Sequence, residues 1–312
     1  MTESKYLVSI HPHISSGQET PVIMKDVLIG LLPALAAAIW FFGWPTLWLV
    51  GTCVFFCVFS EYLWQKYLNL PVSIGDFSAA VTGVLLAFCL PPALPLWMAA
   101  LGSIFSIIIV KQLFGGLGFN IFNPALAARA ILLSSWPVAM TTWTLPKGIQ
   151  AVTTATPLAI AKLGETSAVL PGYWQLFIGN VGGSLGETSA LALLIGAIYL
   201  FYRRVIDGWI PFSYLFTVAG LSFLLGKDPL FHLLAGGLFL GAFFMATDYV
   251  TTPITRKGKL IFGVGCGILT VLIRLFGGYP EGVCYAILLM NLAAPLIDIY
   301  TKNRPFGVTR KK

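Results

Sequence analysis

Charged side chains are scarce in this chain: only 10% of its 312 residues are Asp, Glu, Lys or Arg, against about 25% in ordinary soluble domains. A soluble fold of this length needs more charge to cover its surface. A cytosolic enzyme, a disordered chain and a nucleic-acid binder are therefore poor fits. The five cysteines, Cys53, Cys57, Cys89, Cys266 and Cys284, include no C-x-x-C pair, which argues against a cluster built within the chain. All five fall in or beside apolar runs and read as buried packing. His11, His13 and His232 are too widely spaced to suggest a metal site, and no metal is expected. A nicotinamide fingerprint, G-x-G-x-x-G between a strand and a helix, is also missing.

What the chain has instead is apolar sequence, 57% of its residues, and this composition reads as an all-α integral membrane protein. No charge occurs between Asp26 and Glu61, nor between Asp76 and Lys111, and each gap holds 34 residues. A single span needs about 20 residues, so each gap must fold as a pair of helices. The first gap breaks at Gly43-Trp44-Pro45, giving helices over 27–43 and 46–64. The second breaks at Pro91-Pro92 and Pro95. Further spans follow at 123–138, 188–202, 209–226, 229–247, 260–276 and 282–300, which brings the expected total to about ten.

The basic residues predict the orientation. With ten spans both termini share one side, which holds 14 of the 19 Lys and Arg residues. The other side holds 4, and Arg129 lies inside a span. This bias places both termini in the cytoplasm and the polar stretch 139–187 outside. The net charge of +7 is thereby a topology signal and does not call for nucleic acid. No cleavable signal is evident in the polar first 26 residues, so the first helix is expected to act as an uncleaved anchor.

Lys111-Gln112-Leu113-Phe114-Gly115-Gly116 follows the fourth span and Arg274-Leu275-Phe276-Gly277-Gly278 follows the ninth. Five is odd, so two repeats offset by five spans cross the membrane in opposite senses. That arrangement places sites near the midplane. The expected organisation is a segment 1–26, a five-helix repeat 27–138, an outer loop 139–187, a second five-helix repeat 188–300 and a basic tail 301–312. Pro91-Pro92 and Thr251-Thr252-Pro253 stand as helix breaks or as helix ends at the interface.

Arg129, inside the fifth span beside Asn123-Pro124, needs a partner. A phosphate, a carboxylate such as Asp298, and snorkelling to the interface are the options. Asp248, followed by Thr251 and Thr252, reads either as part of an ion or ligand site or as a solvated helix end. The stretch Gln150-Ala151-Val152-Thr153-Thr154-Ala155-Thr156 reads on composition as a hydroxyl-rich turn in which Thr154 or Thr156 caps a helix.

Several segments nevertheless resemble a known family. Pro12-His13-Ile14-Ser15-Ser16-Gly17 leading into Ile23-Met24-Lys25-Asp26-Val27, Phe122-Asn123-Pro124-Ala125-Leu126, Ala155-Thr156-Pro157-Leu158 and Met245-Ala246-Thr247-Asp248-Tyr249-Val250-Thr251-Thr252-Pro253 are similar to the D subunits of Rnf ion-translocating electron-transport complexes. The B subunits of sodium-pumping NADH:quinone oxidoreductases are related. The resemblance runs from about residue 8 to 308.

It implies a urea-transporter-like inverted repeat and an FMN joined through its phosphate to Thr156, with Thr153, Thr154 and Ala155 completing the attachment motif. Gln150 and Thr154 depart from the family pattern, which has Asp and Gly there. It also implies a flavin transferase for maturation and a second, non-covalent flavin (riboflavin or FMN). The partners are the other Rnf subunits, and the complex moves Na⁺ or H⁺ in a prokaryotic cytoplasmic membrane. Arg129 and Asn123 are candidate cofactor contacts, and Asp248, Thr251 and Thr252 are candidates for the ion path or second flavin. No residue is assigned a catalytic role, and the chain is not expected to be active alone. A solute channel or carrier is the alternative reading, because hydropathy does not separate a pore from a redox scaffold, and a passive anchor for partner subunits is a third.

Overall fold

The computed structural model describes residues 19–144, 146, 156–163 and 171–302. Among the described residues every regular element is helical. Helix α1 (Thr20–Phe42) starts with a proline in its first turn and ends where the Gly43 N–H bonds the Ile39 carbonyl, with φ at 82°. Helix α2 (Pro45–Tyr67) follows at once, so the hairpin expected at Gly43-Trp44-Pro45 is present.

Helices α3 (Ser78–Phe88), α4 (Leu96–Phe105, continuing as a π-helical run through Gln112) and α5 (Pro124–Ser135) complete the first half. Three short helices, α6 (Pro137–Thr141), α7 (Pro157–Leu163) and α8 (Tyr173–Ile178), precede α9 (Ala190–Tyr202) and α10 (Trp209–Leu224). The chain then forms α11 (Pro229–Leu234), α12 (Leu238–Leu240, continuing as a π-helical run to Met245), α13 (Arg256–Phe276) and α14 (Val283–Thr301).

Each apolar run identified in the sequence carries helix, but the runs differ in reach. Four helices, α1, α2, α13 and α14, are long and apolar enough to cross a membrane. Helix α3, at 11 residues, rises only about 16 Å, roughly half of the hydrocarbon thickness.

The run 229–247 is not one helix, contrary to expectation. It breaks after Leu234, and Gly236 there has φ at +75°, a conformation that excludes most side chains. The start of α1 also differs from expectation: Asp26 does not mark a boundary but lies buried within the helix. Its carboxylate accepts from Tyr199 Oη at 2.9 Å and from Arg203 Nε at 3.1 Å, the first within α9 and the second at its C-terminal end.

Packing joins the halves. Helix α1 lies along α9 and α5 packs on α14, while α2 contacts α3 and α4 and α10 contacts α13. The approach of α1 to α9 depends on glycine: a Cβ on Gly196 would stand 1.9 Å from the Gly30 carbonyl oxygen. One continuous apolar core runs from Leu31 and Phe88 to Phe262 and Ile287. Large apolar side chains such as Trp40, Phe55, Phe216 and Ile299 point outward, as expected where the solvent is lipid. The five cysteines are all buried and free, in agreement with the packing reading.

Candidate functional site

Two clusters of polar groups interrupt the apolar core, and α5 carries a residue of each. Asn123 at its N-terminus and Arg129 are six residues apart, about 9 Å along the helix.

The Arg129 cluster is assembled from distant parts of the chain. Nη1 donates to Glu187 Oε1 at 2.9 Å and Nη2 donates to Glu281 Oε2. The buried guanidinium is thus partnered by two carboxylates rather than by Asp298, whose Oδ1 accepts from the Ile254 N–H at 3.0 Å. Arg274, 3% exposed, lies beside this cluster. It donates to the carbonyls of Glu281 (3.0 Å), His232 (2.5 Å) and Ala235 (3.1 Å), satisfying the C-terminus of α11 where the chain breaks.

Glu187 reaches the cluster because residues 179–187, expected as the end of an outer loop, fold into the protein. The Leu185 and Gly186 N–H groups donate to Leu90 and Phe88 carbonyls at 3.2 and 2.9 Å, which ties the loop to the open end of α3. The Glu187 carboxyl is pushed up to about 8, chiefly by burial and then by the neighbouring Glu281 charge, against the opposing pull of Arg129.

Thr156 lies against this cluster. Its Oγ1 accepts from the Ala159 N–H at 3.2 Å and caps α7, as the composition of the stretch suggests. Thr153, Thr154, Ala155 and Gln150 lie outside the described residues. Thr156, Glu187, Thr188, Gly236 and Glu281 together line a cavity of about 20 Å³. On the other side of Leu158, a groove of about 420 Å³ is lined by Ala161, Lys162, Lys227, His232 and Arg274.

The second cluster surrounds a cavity of about 90 Å³ lined by Ser78, Thr82, Lys111, Asn120, Asn123 and Asp248, with Phe243 and Phe244 among its apolar walls. Asn123 is a hub of this region. Its Oδ1 accepts from the N–H groups of Ala125 (3.1 Å) and Leu126 (3.3 Å), and its Nδ2 donates to the Met245 carbonyl at 3.3 Å.

Asp248 is half-buried. Its carboxylate accepts from Thr251 Oγ1 at 3.2 Å and the Val250 N–H at 3.4 Å, while Thr252 Oγ1 donates to the Asp248 carbonyl at 2.7 Å. Burial raises its carboxyl above the usual range. Lys111 donates to Ser78 Oγ (2.6 Å) and Glu61 Oε1 (2.7 Å), and Gln112 donates to the same carboxylate oxygen at 2.7 Å.

Glu61, Lys111, Glu187, Arg274 and Glu281 are site residues that the sequence does not single out. Lys111 and Arg274, expected as topology markers, are both buried. The signal that points to them is their shared place at the head of the two Leu-Phe-Gly-Gly motifs.

Comparison with known proteins gives a consistent result along the whole chain. It is 53% identical to the D subunit of the Na⁺-translocating ferredoxin:NAD⁺ oxidoreductase complex of Acetobacterium woodii, covering 100% of this chain and 98% of that protein. It is 47% identical to the D subunit of the proton-translocating ferredoxin:NAD⁺ oxidoreductase complex of Clostridium ljungdahlii, covering 98% and 97%. It is also 42% identical to the D subunit of the ion-translocating oxidoreductase complex of Stutzerimonas stutzeri, covering 91% of each. Residues 7–307 match the family described as NQR2, RnfD, RnfE, and the chain belongs to that family.

Proposed function

We propose that this chain is the flavin-carrying membrane subunit of an Rnf-type complex, coupling electron transfer between ferredoxin and NAD⁺ to movement of Na⁺ or H⁺. The observation that carries this reading is the near full-length similarity to D subunits of ferredoxin:NAD⁺ oxidoreductase complexes. The two relatives are named for different ions at similar identity, so family membership leaves the choice of ion to details of the site.

On this reading Thr156 holds FMN as a phosphoester installed by a flavin transferase, and the tethered group accepts and passes electrons. The residues suit such a group. Among the described residues the Thr156 hydroxyl makes one hydrogen bond, as acceptor. The 20 Å³ cavity has room for about one water, but the adjoining groove is larger and has Lys227 on its lining, a cation suited to an anionic, ring-bearing group. The protein's part is to hold that group at a fixed place and to shape its charge environment. The cavity at Asn123 and Asp248 pairs polar donors with the side chains of Phe243 and Phe244, which suits a second, non-covalent flavin or the ion path.

The architecture proposed for this function is a ten-helix inverted repeat of the urea-transporter kind, in the prokaryotic cytoplasmic membrane with both termini inside. Three features support it. Corresponding helices meet across the halves, α1 with α9 and α5 with α14. Corresponding motifs end α4 and α13. In both, the leading basic residue is buried against the third span of its half, Lys111 at Ser78 and Arg274 at Ala235.

The test is a denaturing gel viewed under ultraviolet light, with wild type and Thr156→Ala each expressed alongside the transferase. A fluorescent wild-type band that goes dark in the variant is the expected result. A dark wild-type band returns the assignment to a carrier or a passive anchor.

A further inference from the structure

The hydroxyl assigned to carry the flavin is sealed inside the protein. Thr156 is only 5% exposed, and its Oγ1 accepts from the Ala159 N–H at 3.2 Å. The space beside it, about 20 Å³, holds about one water and is too small for a phosphate group. Phosphoryl transfer needs the attacking oxygen in line with the bond that breaks, and the active site of a second protein must close around both. Thr156 in this position admits neither.

Docking of α7 is what seals it. Leu158, 4% exposed, packs against Leu176 of α8 and against Phe231 and Ala235 at the end of α11. It fits there because the broken span carries a glycine: a Cβ on Gly236 would stand 2.7 Å from Leu158 Cδ1. At the far end of α7, Lys162 Nζ donates to the Gly277 carbonyl and to the Tyr279 carbonyl at 3.2 Å, just past the end of α13. A helix of seven residues is too short to be stable by its own hydrogen bonds, so docking keeps it in place.

We propose that α7 is a latch: the transferase reaches Thr156 only while α7 is lifted from its seat, and the attached phosphate then keeps α7 from returning to it. The proposal rests on the flavin reading above. In the step itself, Thr156 Oγ1 takes the FMN phosphoryl group of a flavin dinucleotide. The new P–O bond replaces the anhydride bond, a nucleoside monophosphate leaves, the hydroxyl proton passes to water, and nothing is oxidised or reduced. Leu158 and Lys162 hold the latch shut, one by burial and the other by its bonds to backbone. Until loading, the seated helix closes the cavity that Glu187 and Glu281 also line.

The test uses the full-length chain made without transferase, purified in detergent and then mixed with transferase and flavin adenine dinucleotide. The growth of the fluorescent gel band is followed for wild type, Leu158→Ala and Lys162→Met, with Thr156→Ala as the blank. Wild type labels slowly. Leu158→Ala labels about tenfold faster or more, because truncating a buried leucine weakens the seat, and Lys162→Met about threefold faster or more. Lys162 lies at the surface, so its variant decides the matter where Leu158→Ala does not fold. Hydrogen exchange of residues 158–163 in wild type, before and after loading, needs no variant, and the loaded form exchanges about tenfold faster or more.

Labelling of both variants no faster than wild type overturns the latch, as does exchange that loading leaves unchanged. Either result, beside a fluorescent wild-type band from cells that also make the transferase, leaves the flavin reading intact. A dark wild-type band from those cells overturns both.

Discussion

Lys111 Nζ lies 2.7 Å from Glu61 Oε1, with both side chains almost wholly buried. The pair joins α2 to the π-helical end of α4 across 50 positions of sequence, and Gln112 donates to the same oxygen. Removing one partner strands the other charge, which costs about 3–5 kcal/mol. Lys111→Met is accordingly expected to lower the thermal unfolding midpoint of the detergent-solubilised protein sharply. Lys111→Met combined with Glu61→Leu recovers most of the loss, because two apolar side chains tolerate the same site.

Asn123 ties the start of α5 to the end of the α12 segment. Asn123→Ala loses the cap, a cost of about 1 kcal/mol, and also the bond to the Met245 carbonyl. Asn123→Asp keeps the acceptor that caps α5 but has no amide to donate. Unfolding midpoints in the order wild type, Asp, Ala are expected, read by tryptophan fluorescence.

Close packing of α1 on α9 makes Gly196 intolerant of a side chain. Gly196→Ala places a methyl group against the Gly30 carbonyl and is expected to destabilise by about 1–3 kcal/mol. Gly51→Ala in α2 serves as the control. Among the described residues nothing lies within 4 Å of a Cβ there, and the change gains about 0.5–1 kcal/mol of helix propensity. Comparing the two midpoints separates crowding from propensity.

Glu187 gives the stability a pH dependence of definite sign. Burial and the Glu281 charge raise its carboxyl from 4.5 to about 8, so between those values the folded protein binds a proton that the unfolded chain releases. The stability contributed is fully present below about 4.5 and is lost as pH rises through about 8. Unfolding midpoints of wild type are expected to decline across that window, and the decline is expected to flatten in Glu187→Gln.

Much of the helix pattern is legible in the sequence, because uncharged runs and Gly-Pro breaks act locally. The hairpin at Gly43-Trp44-Pro45 and the Thr156 cap of α7 are of this kind. Charge is less informative than it looks. Asp26 reads as a boundary and Lys111 and Arg274 as topology markers, yet each is buried against a partner on another element. The break at Gly236 has a local trace in the Gly236-Gly237 pair, but apolar sequence on both sides lets the run read as one span.

The sequence by itself determined that this is an apolar helical chain of the NQR2, RnfD, RnfE family, since composition, periodicity and motif order survive without coordinates. Only the tertiary structure decided which charges face each other. Arg129 chose Glu187 and Glu281 over Asp298 because residues 179–187 fold inward along the end of α3. In a low-dielectric interior, such pairing is governed by proximity in space, to which distance along the chain is no guide.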